Sequence, residues 1–125
     1  IIKENQPQKA NTILQLVKSS LCQDNAQNTV VVDLKKKAAI ADYLVIASGT
    51  SNRHVGAMAE HLQKRIKDLG IIGTSVEGAK HCDWVLIDVG DVIIHLFRPE
   101  VREFYNLEKL WATRTETNSA EAVGT

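Results

Sequence analysis

The sequence lacks a surplus of charge and any long apolar run. Lys and Arg together number 15, as do Asp and Glu, so the formal net charge is zero. Bulk nucleic-acid binding needs surplus cations to neutralise phosphates, so that class is disfavoured, although a locally basic patch is compatible with the composition. No apolar run approaches the roughly 20 residues of a membrane span, and no signal peptide is recognisable. The chain starts with Ile rather than Met, which leaves room for a preceding segment, an organellar targeting segment included.

Cysteine is scarce too. Cys22 and Cys82 lie far apart and form no C-x-x-C pair, whereas a disulfide framework in so short a chain would need more cysteines. We therefore expect two reduced thiols in a reducing compartment. The simplest location is the bacterial cytoplasm, with an organellar origin left open.

The histidines offer no recognisable metal site. His54 and His61 fall on roughly one face of a predicted helix, but a zinc site needs further ligands at close spacing, and H-E-x-x-H is absent. We predict neither a metal nor another cofactor.

What the chain does contain is enough apolar sequence for one domain. Its 125 residues are 44% hydrophobic, and a chain of this length can enclose a core without disulfides or metals. Residues 1–7 are interpreted as a lead-in and residues 8–112 as the folded domain. Residues 113–125 are mostly Thr, Glu, Ala and Ser with little to bury, so we expect disorder there.

Hydrophobic periodicity predicts the order α-β-β-α-β-β-β-α. The expected elements are a helix from about Gln8, strands at 29–33 and 43–47, a helix from about Ser51 to Leu69, a weak strand at 73–77, strands at 84–89 and 92–97, and a helix opened by Pro99. In this last helix we expect Val101, Phe104 and Tyr105 to face inward, and Leu110 and Trp111 extend its apolar stripe. The expected fold is α/β, a single domain with a mixed five-stranded sheet and about three helices.

The dipeptide Gly90-Asp91 suits a two-residue hairpin loop, and such a loop fixes the register of the flanking strands. On one face Val89 pairs with Val92, Ile87 with Ile94, and Val85 with Leu96; on the other, Trp84 pairs with Phe97, Leu86 with His95, and Asp88 with Ile93. The first face is wholly aliphatic and should pack against helices. The second is mixed.

Two interpretations of the mixed face compete. In one, the C-terminal helix covers it and Trp84 belongs to the core. In the other, the face is partly open and receives another protein, because a central Trp is a typical hot spot. We favour the second, since burying Asp88 and His95 needs partners that the sequence does not obviously supply. The face could also pair with its own copy.

The segment Ser48-Gly49-Thr50-Ser51 precedes a predicted helix and could cradle a phosphate there. A strand followed by Gly-Thr-Ser and a helix is also typical of nucleotidyltransferases, so an enzyme acting through Gly49, Thr50 and Ser51 is the alternative function. However, no P-loop pattern is present. No D-x-D or D-x-E pair that would hold two metal ions follows on a strand. An ordinary capped helix start is favoured.

A charge run, Lys35, Lys36 and Lys37, lies in a predicted loop. Such runs are most often solvated, and contact with ribosomal RNA phosphate is the alternative.

Three blocks of sequence resemble the ribosomal silencing factor family, also called the Iojap family. They are DYLVIASGTSNRHV at 42–55; Glu77-Gly78 followed by WVLIDVGDVIIHLF at 84–97; and REFYNLEKLW at 102–111. Together the similarity spans about residues 8–112. Three ordered blocks at suitable spacing make the resemblance specific, unlike a lone short motif.

The resemblance implies a nucleotidyltransferase-like fold without catalytic carboxylates, and therefore a protein that is not an enzyme. It implies binding to ribosomal protein L14 of the large ribosomal subunit, where the small subunit would dock, so that translation is repressed by steric exclusion. Family members are often dimers and occur in bacteria, mitochondria and chloroplasts.

On this basis we hypothesise that Trp84 anchors the contact with the ribosomal protein. Leu86, His95 and Phe97 would lie beside it, and Glu77, Asp83 and Asp88 would meet basic residues of the partner.

Overall fold

Helices and strands follow one another in the order that the hydrophobic patterning predicts. The computed structural model describes residues 2–36, 40–107 and 109, and for residues 2–8 only the helical backbone. Within these residues the helices are α1 (Ile2–Gln23), α2 (Asn52–Asp68) and α3 (Pro99–Tyr105), and the strands are β1 (Gln27–Asp33), β2 (Tyr43–Ser48), β3 (Ser75–Glu77), β4 (Trp84–Asp88) and β5 (Val92–Phe97). Lys37, Leu110, Trp111 and the predicted disordered tail at 113–125 lie outside the described residues.

Helix α1 begins at Ile2 rather than near Gln8. Polarity alone predicts a lead-in over these residues, but Lys3, Glu4 and Gln6 are good helix formers. A polar stretch can extend a helix whose later turns are anchored by packing. Here the later turns bury Ile13 and Val17.

The five strands form one mixed sheet in the order β1-β2-β5-β4-β3. Strands β2 and β5 are parallel, and every other pair is antiparallel. The expected α/β class and mixed five-stranded sheet are thus confirmed. The predicted hairpin register is also confirmed, with Trp84 opposite Phe97 and Leu86 opposite His95.

One face of the sheet carries the helix layer. Strands β2, β4 and β5 place an aliphatic row beneath α1 and α2, which bury their own apolar stripes against it. The fully buried members include Val45, Ala47, Val85, Ile87, Ile94 and Leu96 from the strands and Met58, Leu62 and Ile66 from α2. Full burial of a large aliphatic side chain contributes about 1.5–3 kcal/mol, so this layer supplies most of the stabilising burial.

The opposite face carries a smaller cluster. Leu44 and Ile46 of β2 and Phe97 of β5 are buried there, together with Leu34 from the β1–β2 connection. Trp84 packs against this cluster while remaining only half-buried. The second face is therefore covered at the β2 side and partly open towards β4.

Gly78, between β3 and β4, lies close against the backbone of β4. Its φ is +84°, and a Cβ placed there would overlap the carbonyl oxygen of Trp84. Gly70, after α2, has a similar φ of +94°, but its surroundings are empty. Of these two glycines, only Gly78 is required by both backbone conformation and space.

We predict that Gly78→Ala lowers the free energy of unfolding by about 3 kcal/mol or more, whereas Gly70→Ala lowers it by about 1 kcal/mol. Both variants incur the cost of a left-handed Ala, but only Gly78→Ala also displaces the backbone at Trp84. Urea denaturation followed by circular dichroism measures both. Equal losses would contradict the steric argument.

Candidate functional site

The site is built around Trp84, the first residue of β4. Its ring lies 4.9 Å from that of Phe97, 4.7 Å from that of Tyr105 and 5.8 Å from that of His95, measured between centroids. We call these four residues the aromatic cluster. Hairpin register supplies three of its members, and α3 supplies the fourth. Rings at such distances stabilise one another beyond the area they bury.

A hydrogen bond holds the cluster together. The Trp84 indole Nε1–H donates to Nδ1 of His95 at 2.9 Å, so Nδ1 carries no proton and the neutral ring bears its proton on Nε2. Burial lowers the pKa of His95 to about 4, because a low-dielectric environment disfavours imidazolium. The imidazole therefore fixes the orientation of Trp84 as a neutral acceptor.

His95 and Asp88 both find partners within the chain, contrary to the expectation that led us to favour an open face. His95 accepts from Trp84, and Oδ1 of Asp88 accepts the Gly90 N–H at 2.8 Å. Nδ1 of His95 and Oδ1 of Asp88 are therefore satisfied without an outside partner. Neither acceptor role was visible in the sequence, because one involves a cross-strand neighbour and the other a turn amide.

The face is nevertheless partly open for a different reason. Helix α3 spans only seven residues, so it covers Phe97 fully but leaves Trp84, Leu86 and His95 half-buried. Phe97 consequently supports Trp84 from beneath and cannot be a direct contact in this conformation. The interpretation that the C-terminal helix covers the mixed face therefore holds at Phe97. The interpretation that the face is partly open holds at Trp84, Leu86 and His95.

Phe104 and Tyr105 are not inward, contrary to the prediction. Their exposures are 79% and 51%. Val101 does pack inward, against the cluster around Phe97, as predicted. Beside it Arg102 is buried and donates to the Ser48 hydroxyl at 2.7 Å. The sequence does show an arginine within the apolar stripe of the helix. It does not show that the Ser48 hydroxyl on β2 accepts the hydrogen bond of that arginine.

A cleft of about 430 Å³ separates β4 from α3. It is lined by Asp83, Trp84, Glu100, Val101, Phe104 and Tyr105. Arg98 lies 3.6 Å from the Asp83 carboxylate and 3.2 Å from that of Glu100. Two carboxylates and one guanidinium leave an excess of negative charge at the rim of an aromatic cleft.

Most of the predicted site residues share one face. Glu77 lies opposite Leu86, and Leu86 lies opposite His95, so these three form one row across β3, β4 and β5. Asp88 and Trp84 flank Leu86 on the same side of β4. Asp83 is at the rim of the cleft, with its Oδ1 accepting a hydrogen bond from Asn52 at 3.1 Å.

Three amides around the start of α2, those of Gly49, Thr50 and His54, are engaged within the chain. Gly49 N–H donates to the Phe97 carbonyl at 3.0 Å and Thr50 N–H to Nδ1 of His54 at 2.8 Å. The His54 N–H in turn donates to the Ser51 hydroxyl, which caps the helix. A phosphate bound there would have to displace these contacts.

Packing accounts for the glycine at this position. A Cβ on Gly49 would lie 2.8 Å from Cε of Met58 and 2.9 Å from a methyl of Val55. The residue type at 49 is thus explained by the contact between strand and helix, without a ligand.

Metal-ligating residues are dispersed. Among the side chains that the structure describes, at 9–36, 40–107 and 109, no three of His, Cys, Asp or Glu come together as a metal ion would need. Cys22 and Cys82 are free thiols. In the part of the chain that the structure describes, no helix combines the length and apolarity needed to cross a membrane.

The lysine run makes a local contact. Lys35 Nζ donates to the Tyr43 hydroxyl at 2.6 Å and lies 3.6 Å from Asp33. The hydrogen bond to Tyr43 raises the pKa of Lys35. Lys36 is exposed.

Comparison with known proteins gives concordant matches. A family model described as ribosomal silencing factor during starvation matches residues 4–124. A protein from Zymomonas mobilis named ribosomal silencing factor RsfS is 51% identical over 106 residues, which cover 85% of this chain and 80% of that protein. A mouse protein named mitochondrial assembly of ribosomal large subunit protein 1 is 40% identical over 105 residues, covering 82% of this chain and 46% of the mouse protein.

The fold is shared with a solved structure. A crystal structure of a Chromobacterium violaceum protein superposes with a TM-score of 0.78 at 33% identity, covering 81% of this chain and 84% of that chain.

We predict that acid weakens the fold through His95. Its folded pKa of about 4 lies below the usual 6.5, so its contribution is complete above pH 6.5 and is lost as the pH falls from 6.5 towards 4. A pKa difference of one between the folded and unfolded states corresponds to about 1.4 kcal/mol of unfolding free energy. Because His95 is partly exposed, we expect the total loss of unfolding free energy to be about 2 kcal/mol. His95→Gln keeps an acceptor for Trp84 but does not titrate.

Urea unfolding followed by Trp fluorescence at several pH values between 7 and 4 provides the measurement. Carboxylates that titrate in the same pH range affect both proteins alike. The difference in unfolding free energy between wild type and His95→Gln therefore isolates the contribution of His95. Parallel pH profiles for the two proteins would rule out the assignment.

Proposed function

Because the chain belongs to the ribosomal silencing factor family, we propose that it binds ribosomal protein L14 on the large ribosomal subunit and blocks joining of the small subunit. The observation that carries this proposal is the aromatic cluster, half-open on the sheet face opposite α1 and α2, where α3 gives partial cover. Interface centres are enriched in Trp, Tyr and Phe. A well-supported Trp in such a setting is the usual form of a hot spot.

The proposed contact surface consists of Trp84, Leu86, His95 and Tyr105, with Phe104 at its edge. Phe97 acts from beneath by holding the Trp84 ring. This differs from the set expected from sequence by the addition of the two α3 aromatics and the removal of Phe97 from the direct contacts.

Carboxylates surround the proposed surface. Glu77, Asp83, Asp88 and Glu100 lie on or beside it, with Arg98 as the cation between two of them. A basic partner surface would be attracted electrostatically, which mainly accelerates association and fixes orientation. The exposed Lys36 could add a contact with ribosomal RNA phosphate at the far end of the sheet.

The mechanism we propose is occupancy. Subunit joining brings two large surfaces together, so a bound domain of 13.8 kDa on one of them is a sufficient obstacle, and translation is repressed without a chemical step. The engaged amides at the start of α2 disfavour the nucleotidyltransferase alternative, because a nucleotide phosphate would find them already bonded. Such a factor would act where ribosomes are, which for a bacterial member is the cytoplasm.

A homodimer through the aromatic cluster would compete with this function. The same rings cannot contact a second copy and the ribosomal protein at once. Solution mass with and without L14 therefore distinguishes a dimer that dissociates on binding from one formed by another face.

We predict that Trp84→Ala weakens binding to purified L14 by about 2 kcal/mol, or roughly 30-fold in Kd. Tyr105→Ala should weaken it less, because that ring is more exposed and its contact with Trp84 is partly redundant. Calorimetric titration measures both, and co-sedimentation with large subunits followed by a joining assay links affinity to function. Ile72→Ala, an exposed aliphatic position away from the cluster, is the control. Unchanged binding by a folded Trp84→Ala protein would refute the placement.

We also predict that Glu77→Gln slows association with L14 several-fold at low salt and leaves dissociation nearly unchanged. Added salt should shrink the difference, because screening removes steering between exposed charges. Stopped-flow kinetics provides the rates. The matched control is Asp68→Asn, which neutralises an exposed carboxylate on α2. If both substitutions have the same effect, net charge rather than the position of Glu77 is responsible.

A further inference from the structure

The connection between α2 and β3 exposes large aliphatic side chains. Ile72 is 91% exposed and Leu69 is 47% exposed, while Ile71 between them is half-buried. We call Leu69, Ile71 and Ile72 the isoleucine ridge. Single exposed aliphatics are ordinary on protein surfaces, but two within four residues at the tip of one connection form a patch.

The ridge is held by hydrogen bonds. Gly70 N–H donates to the Lys67 carbonyl at 2.9 Å, and Ile71 N–H donates to the Ile66 carbonyl at 3.3 Å. These are the closing bonds of a helix C-terminus with glycine in the left-handed conformation. The exposed side chains therefore project from an ordered support, which lowers the entropy cost of binding.

A groove runs along each flank of the ridge. The groove toward α1 has a volume of about 520 Å³ and is lined by Lys9, Thr12 and Ile13. The groove toward α2 has about 530 Å³ and is lined by Gln63, Lys64, Lys67 and Thr74. Each is large enough for several side chains of a partner.

The charges around the ridge have one predominant sign. Lys9, Lys64 and Lys67 line the grooves, and Asp68 pairs with Lys64 at 3.6 Å. Among the residues whose side chains are described, no ion pair engages Lys9 or Lys67. The ridge is thus an apolar crest between basic walls, whereas the aromatic cluster has an acidic rim.

We propose that the isoleucine ridge is a second docking surface, whose occupant is an acidic amphipathic protein segment. Its apolar side chains would enter the two grooves and pack on Ile72, and its carboxylates would meet the three lysines. RNA is disfavoured because a phosphate backbone makes no use of an aliphatic crest. A flat lipid surface is disfavoured because it would leave both grooves unfilled.

This surface lies on the helix-layer side of the sheet, and the aromatic cluster lies on the other side. Both could be occupied together, so a chain bound to one partner through Trp84 could hold a second. The proposal does not depend on the function proposed above, since it concerns different residues and a partner of opposite charge.

The test uses the full chain and a synthetic amphipathic helix of about 18 residues, with Leu on one face and Glu at the other positions. Its counterpart replaces every Glu by Lys. Backbone amide shifts are followed by NMR up to millimolar peptide. We expect saturable shifts centred on residues 69–74 with the Glu peptide and none with the Lys peptide. Ile72→Ser, and separately the triple variant Lys9→Glu, Lys64→Glu, Lys67→Glu, should each weaken binding at least about tenfold. The control is Phe104→Ser, at an exposed apolar position on the other face, which should not weaken binding of the Glu peptide.

Several results would overturn the proposal. Absence of shifts near the ridge at millimolar Glu peptide would do so, as would equal binding of both peptides. A solution mass that doubles in wild type and falls to the monomer in Ile72→Ser would assign the ridge to a second copy of the chain. Ile72-dependent binding to phosphatidylglycerol vesicles, without peptide binding, would assign it to a lipid surface.

Discussion

The register of the hairpin between β4 and β5 determines which side chains enter the core beneath the helices and which form the proposed contact surface. Placing Val85 opposite Leu96 and Ile87 opposite Ile94 sends an aliphatic row under the helices. The same register leaves Trp84 beside His95 on the other face. A shift of one residue would exchange the two faces, burying the aromatic side chains under α1 and α2 and exposing the aliphatic row. The core and the proposed contact surface therefore depend on one turn.

The aromatic cluster depends on a further constraint, the attachment of α3. Val101 packs against the cluster around Phe97, and Arg102 fastens the helix to β2 through the Ser48 hydroxyl. Attachment by a polar contact leaves the adjacent Phe104 and Tyr105 free to face outward. Ser48 also belongs to the segment preceding α2, so one serine links the sheet, the glycine segment and α3.

The glycine segment shows how a familiar pattern can serve packing alone. A strand, Gly-Thr-Ser and a helix could indicate a phosphate site. Here Gly49 is required by contact with Met58 and Val55, and the nearby amides are bonded to Phe97 and His54. The geometry suits a rigid scaffold that presents surfaces, which agrees with a domain acting by occupancy. The two surfaces, one acidic and aromatic and one basic and aliphatic, lie on opposite sides of that scaffold.

Sequence alone determined the element order, the hairpin pairing and the family, because these follow from local periodicity, a two-residue turn and contiguous motifs. It placed Trp84, Leu86 and His95 on one face for the same reason. Tertiary structure decided the remainder: the hydrogen bond from Trp84 to His95, the burial of Phe97, and the outward turn of Phe104 and Tyr105. The hydrogen bond depends on side-chain geometry across the hairpin, and the other two features depend on contacts between segments distant in the chain, such as Arg102 with Ser48. Local patterning carries no information about which distant acceptor a buried arginine will find.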